Sequence, residues 1–102
     1  MKPLVTEELQ ARFKEVGSQE SSKDPIIIAK LFNPVGAATW YLTEYDPQNQ
    51  IAFGYVTGLA HDEWGYVWIP ELEDIQLPMG MTIERDIYFS EEVFSKVISE
   101  NG

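Results

Sequence analysis

The chain has 102 residues, with 17 Asp and Glu against 7 Lys and Arg, one His and no Cys, for a formal charge of -10. This length suits one domain, residues 1–102, with a core of its own, and 44% hydrophobic residues with 13% aromatic argue against disorder. The absence of Cys excludes disulfides, thiolate nucleophiles and thiolate metal sites.

Leu4 to Val16 reads as a helix. Thr6 is a capping residue, Glu7 and Glu8 suit the positive end of the helix dipole, and Gly17 stops the run. Leu9, Phe13 and Val16 form an apolar stripe, and Glu8 is placed to pair with Arg12 across a turn. Gly17 to Pro25 is a polar loop. Ile26 to Phe32 is a β-branched strand, and Ala38 to Tyr45 alternates Trp40 and Leu42 against Thr39, Tyr41 and Thr43. The turn at Asp46-Pro47 joins it to Ile51–Thr57 in a hairpin. Trp64 to Ile69 is the next strand, ended by Pro70, which opens one helical turn over Glu71 to Ile75.

Met81 to Phe89 is the last expected strand, with Met81, Ile83, Ile87 and Phe89 on one face. Ser90 is expected to cap a closing helix whose buried stripe is Val93, Phe94, Val97 and Ile98. The fold class is therefore α+β, an antiparallel sheet of four to five strands with an N-terminal and a C-terminal helix. Leu9, Phe13, Phe32, Trp40, Leu42, Phe53, Ile83, Ile87, Phe94 and Val97 are the expected core.

Charge is segregated. Between Lys30 and Arg85 there is no Lys or Arg, yet Glu44, Asp46, Asp62, Glu63, Glu71, Glu73, Asp74 and Glu84 all fall there. All three Trp and four of the five Tyr lie in the same stretch. Such a surface repels phosphate and attracts cations or basic protein patches. Stacking of Trp40, Trp64, Trp68 and their Tyr neighbours on single-stranded nucleic acid would need a basic groove, which this stretch cannot line. These aromatics are therefore expected in the core or packed on the sheet faces.

His61-Asp62-Glu63 is the one place where a His sits among carboxylates. A metal-dependent hydrolase would use this region, with Glu44 or Asp46 supplying a further ligand. One His without Cys is a poor zinc set, and neighbours on a loop diverge, so the default is a solvated loop with no catalytic and no metal residues. No phosphate-binding glycine motif and no GxSxG elbow occurs, and no cofactor is expected. Arg85 falls on the apolar face of its strand and Glu44 on the Trp40/Leu42 face of another, so Glu44–Arg85 is the expected structural ion pair.

Leu31-Phe32-Asn33-Pro34, Ala38 to Glu44, Asp46-Pro47, Glu63-Trp64-Gly65-Tyr66, Pro78-Met79-Gly80 and Glu84 to Phe89 together resemble an uncharacterised bacterial family, domain of unknown function 2958. The resemblance spans Leu31 to Phe89 and leaves out the Gly17–Asp24 loop and the closing helix. It implies an accessory role on plasmids and other mobile DNA, and no catalytic residue comes with it.

The expectation is a non-enzymatic acidic accessory protein that binds a basic protein surface, as a nucleic-acid mimic or an inhibitor of a defence or DNA-processing protein. Glu71, Glu73, Asp74, Glu84 and Asp86 are its expected partner-binding residues. The alternative is the hydrolase at His61, Asp62 and Glu63. Direct nucleic-acid binding is not expected. The opening Met1-Lys-Pro-Leu4 has no apolar run behind it and no window approaches the ~20 apolar residues of a membrane span, so a cytoplasmic location is expected.

Overall fold

A threonine followed by two glutamates starts the first helix, α1 (Glu7–Val16). Thr6 Oγ1 accepts from Leu9 N at 3.2 Å, and Gly17, with φ of 71°, ends the helix through its N–H to Phe13 O. The computed structural model describes residues 3–101. Met1, Lys2 and Gly102, counted in the single-domain reading, lie outside the described residues.

β1 (Ile26–Ile27), β2 (Ala29–Phe32), β3 (Thr39–Asp46), β4 (Ile51–Thr57) and β5 (Glu63–Trp68) follow in order. Then come α2 (Ile69–Asp74), β6 (Glu84–Arg85), β7 (Glu92–Val93) and α3 (Phe94–Asn101). The main sheet is antiparallel in the order β5-β4-β3-β2-β6, and β1 pairs with β7 in a separate two-stranded ribbon. This is the expected α+β architecture with a helix at each end.

Both faces of the sheet centre are covered. Leu31, Trp40, Leu42 and Ala52 pack with Leu4, Phe13, Ile69 and Leu72 on the face under α1 and α2. On the other face Ile27, Tyr41 and Val97 make a smaller core with Tyr55, Phe94 and Ile98 packed against it. Double coverage explains why Trp40, Tyr41, Leu42 and Thr43 are buried in succession.

Four local expectations are corrected. The Ile26–Phe32 run is divided at Ile28, whose N–H goes to Leu42 O at 2.8 Å, so its two halves join different sheets. Of Met81–Phe89 only Glu84–Arg85 is a strand. Asp86 closes it, since its Oδ1 accepts from Tyr88 N and its carbonyl from Phe89 N, and the resulting turn leaves Ile87 66% exposed instead of in the core. Ser90 does not cap the closing helix, because β7 intervenes and α3 starts at Phe94. Its first turn is met by Asp24, whose carboxylate accepts from Ser95 N at 2.8 Å and Ser95 Oγ at 2.6 Å. Arg12 pairs with Glu15 and, through two nitrogens, with Glu91, not with Glu8. These bonds hold its guanidinium pKa above its ordinary value, Glu91 contributing most.

Candidate functional site

The site begins with a β-bulge. The β3–β4 register runs Leu42↔Gly54 and then Glu44↔Phe53, so Thr43 is the extra residue. A one-residue insertion reverses the faces beyond it. Tyr45 turns to the α1 side, where its ring packs 5.8 Å from Phe13, and Glu44 turns to the opposite side. Burial, with the nearby charges of Glu73 and Asp46, pushes the Tyr45 phenol pKa up. Burial alone does so for Tyr41.

Backbone groups loosened at the bulge are satisfied from the side chains. Thr43 Oγ1 donates to Phe53 O at 3.2 Å. The amide of Gln19, from the loop after α1, donates to Thr43 O at 3.0 Å and to Ile26 O at 2.9 Å, and accepts from Ile26 N at 2.7 Å. One side chain thus stands in for a missing strand between β1 and β3. Gln19 N also donates to Glu44 Oε2 at 3.1 Å, which fixes the carboxylate that the bulge turned over.

Glu44 and Glu20, with Lys23, border a cleft of ≈ 400 Å³ whose floor is aromatic. Phe53 stacks on Trp64 with ring centroids 5.8 Å apart and meets Tyr66 at 4.9 Å. Trp64 also contacts Tyr55 at 5.2 Å and Phe94 of α3 at 4.7 Å. β5 is the outermost strand of the sheet, so the ladder continues to an open edge on which Trp64, Tyr66 and Trp68 are 38%, 80% and 54% exposed. Of the aromatics expected in the core or on the sheet faces, Trp40 and Tyr41 are in the core and Trp64 is packed on a sheet face, while Tyr66 and Trp68 stand largely exposed. Their alternation was visible in the sequence; their place at the sheet edge was not.

Arg85 lies on the far side of the sheet. It pairs with Leu31 in the ladder and lines a second cleft, of ≈ 640 Å³, together with Glu73, Glu84 and Asp86. The expected Glu44–Arg85 ion pair is therefore corrected: the bulge carries Glu44 to the face opposite Arg85. Among the described residues no carboxylate comes within ion-pairing distance of Arg85. Arg85→Ala is accordingly expected to cost about 1 kcal/mol or less in urea unfolding, against roughly 3–5 kcal/mol for one member of a buried pair.

The acids singled out from the sequence divide into two kinds. Glu71, Asp74 and Glu84 are exposed. Glu73 accepts from Leu4 N at 2.9 Å, and Asp86 lies 3.6 Å from Lys30 Nζ, so both are engaged within the fold. The fold brings Glu73, Glu84 and Asp86 to one cleft, while Glu71 and Asp74 sit on α2, directly beyond the end of β5. His61, Asp62 and Glu63 are all exposed at the β4–β5 connection, where Asp62 accepts from Gly58 N at 3.2 Å. Among the described residues no group of three His, Asp or Glu side chains is placed to hold a metal ion. No described helix is long and apolar enough to cross a membrane.

No curated protein and no solved structure matches the chain. A family model does, over residues 4–99, and so covers α1, the Gly17–Asp24 loop and nearly all of α3 as well as the central strands. By this match the chain belongs to the family described as protein of unknown function, DUF2958.

Proposed function

We propose that this protein is a non-enzymatic binding factor that engages a basic surface of another protein, in the cytoplasm and in the mobile-DNA setting that the family resemblance implies. The observation that carries the reading is an open, aromatic sheet edge framed by carboxylates. Asp62 and Glu63 stand at the start of β5, Glu71 and Asp74 just past its end, and Glu44 beside its inner face. Lys23 borders the cleft, but no Lys or Arg occurs between Lys30 and Arg85, the stretch that supplies these acids. Exposed aromatics with nearby acids suit cationic side chains, through ring quadrupoles and direct charge attraction together. Duplex DNA, whose affinity for proteins comes from phosphate neutralisation by Lys and Arg, is a poor ligand for such a surface.

The test reverses the exposed acids at the β5 edge, Glu63, Glu71 and Asp74, to Lys, leaving Glu73 and Asp86 in their internal bonds. Partners captured from the native host are eluted with salt, purified and titrated against both chains. The reversed chain is expected to bind at least about tenfold more weakly, with a shallower salt dependence. Equal affinity and equal salt dependence would reduce the acids to a solubility device, and binding of the unaltered chain to duplex DNA near physiological salt would refute the reading.

A further inference from the structure

The β4–β5 ladder fixes which backbone groups of the outer strand are unused. Ile51 is opposite Trp68, so Gln50 is opposite Ile69, and Ile69 N donates to Gln50 O at 3.0 Å. Hydrogen-bonded and non-hydrogen-bonded pairs alternate in an antiparallel ladder. Ala52/Val67, Gly54/Gly65 and Val56/Glu63 are therefore bonded pairs, and Ile51/Trp68, Phe53/Tyr66 and Tyr55/Trp64 are not. The close approach of the Phe53 and Tyr66 rings, at 4.9 Å, fits a non-bonded pair, where opposing side chains come nearest. It follows that Trp64, Tyr66 and Trp68 point both their aromatic side chains at the cleft face and their N–H and C=O groups at the open edge. Among the described residues no strand pairs with that edge.

We infer that β5 accepts an extended basic segment of a partner protein as an added antiparallel strand, its Lys or Arg side chains lying over Trp64, Tyr66 and Phe53. This rests on the reading of the protein as a binder of basic surfaces and specifies the backbone geometry of that binding. In an antiparallel addition, partner residues that bond to Trp64, Tyr66 and Trp68 project their side chains on the same face as those aromatics. Alternate cationic residues of the incoming strand then meet aromatic rings and Glu44, while the residues between them face Gly65 and Val67.

A second copy of the chain is the competing occupant, and charge argues against it. Self-pairing centred on Tyr66 would set Asp62 and Glu63 of each copy beside Ile69, Pro70 and Glu71 of the other, with no base on either strand to compensate. Like charges at strand ends are a common guard against edge-to-edge association. The same charges favour a cationic strand.

The probe is a ten-residue peptide of alternating Arg and Thr, compared with one of alternating Glu and Thr. Two further versions are N-methylated, one at the Arg residues and one at the Thr residues. On the full chain, the Arg–Thr peptide is expected to bind and the Glu–Thr peptide not. Methylation at Thr is expected to change affinity less than about twofold, and methylation at Arg to weaken it about tenfold or more, because only the Arg amides face β5. Tyr66→Ser should weaken the unmethylated peptide at only a small cost in thermal stability, since the Tyr66 ring is 80% exposed and what it loses is its contact with Phe53. Equal binding of all three Arg peptides would overturn strand addition and leave the charge reading standing. Selective loss with Thr methylation would overturn the antiparallel pairing. Failure of every Arg peptide to outbind the Glu–Thr peptide at low salt would overturn both readings, and sedimentation as a dimer at micromolar concentration would assign the edge to a second copy and overturn this one.

Discussion

Gly54→Ala is expected to lower the unfolding free energy by about 3 kcal/mol or more, because the added methyl meets backbone that cannot give way. A Cβ at this position would lie 2.2 Å from Tyr41 O and 2.9 Å from Leu42 Cα, both in β3 immediately before the bulge. Relief would require β3 and β4 to separate, and that would undo the register on which the Glu44 reversal and the aromatic ladder depend. Gly65→Ala, one strand outward, is the control. Nothing lies within 4 Å of a Cβ there, so a change within about 0.5 kcal/mol is expected. Urea titrations of the two variants, followed by circular dichroism, separate the cases. Equal shifts in midpoint would mean that close approach at Gly54 is not what positions the sheet.

Gln19→Ala is expected to cost about 2–4 kcal/mol, since one truncation leaves Ile26 N–H, Ile26 C=O and Thr43 C=O without the partners they have in the fold. These groups are partly buried, so water replaces the amide only in part. Hydrogen exchange at Ile26 reports directly, with protection expected to fall by more than the global loss of stability alone explains. Gln19→Glu should not rescue the defect. A carboxylate cannot donate to the two carbonyls, and it would add a second negative charge beside Glu44. If Gln19→Glu proved as stable as the unaltered chain, the amide's role as a surrogate strand would be wrong.

Much of the framework was legible before the structure. Thr6, Glu7 and Gly17 marked α1 because capping and dipole effects act within one turn. The Asp46-Pro47 turn marked the β3–β4 hairpin for the same local reason: Asp46 accepts from Gln48 N and from the Asn49 side chain, and the Asn49 bond is the main cause of its lowered pKa. Pro70 falls in the first turn of α2, which opens one residue earlier than expected, at Ile69. Where the reading of the chain failed, the deciding interaction was distant. The Met81–Phe89 alternation looks like a full strand, yet it pairs with β2 only at Leu31 and Phe32, with one further bond from Asp86 N to Lys30 O, before the turn at Asp86 leads the chain away. Ser90 looks like a helix cap, yet Ile26 and Ile27 draw Glu92 and Val93 into a ribbon first, and Asp24 takes over the capping role from 71 residues away.

The candidate site shows the same division. The acidic, base-free stretch and the Trp64-Gly65-Tyr66-Val67-Trp68 alternation are properties of the sequence itself, since charge count and period-2 patterning need no partner. The bulge at Thr43 is a property of the folded sheet. It inserts one residue into an otherwise regular alternation and so sends Glu44 away from Arg85 and toward the aromatic floor. Strand order is likewise tertiary: only once β4 pairs with β3 on one side and β5 on the other does β5 become the edge. Local chemistry determined which residues are acidic, aromatic and β-forming. Which of them share a face and meet open space was decided by pairing across the chain, where a single inserted residue or one more strand reverses the answer.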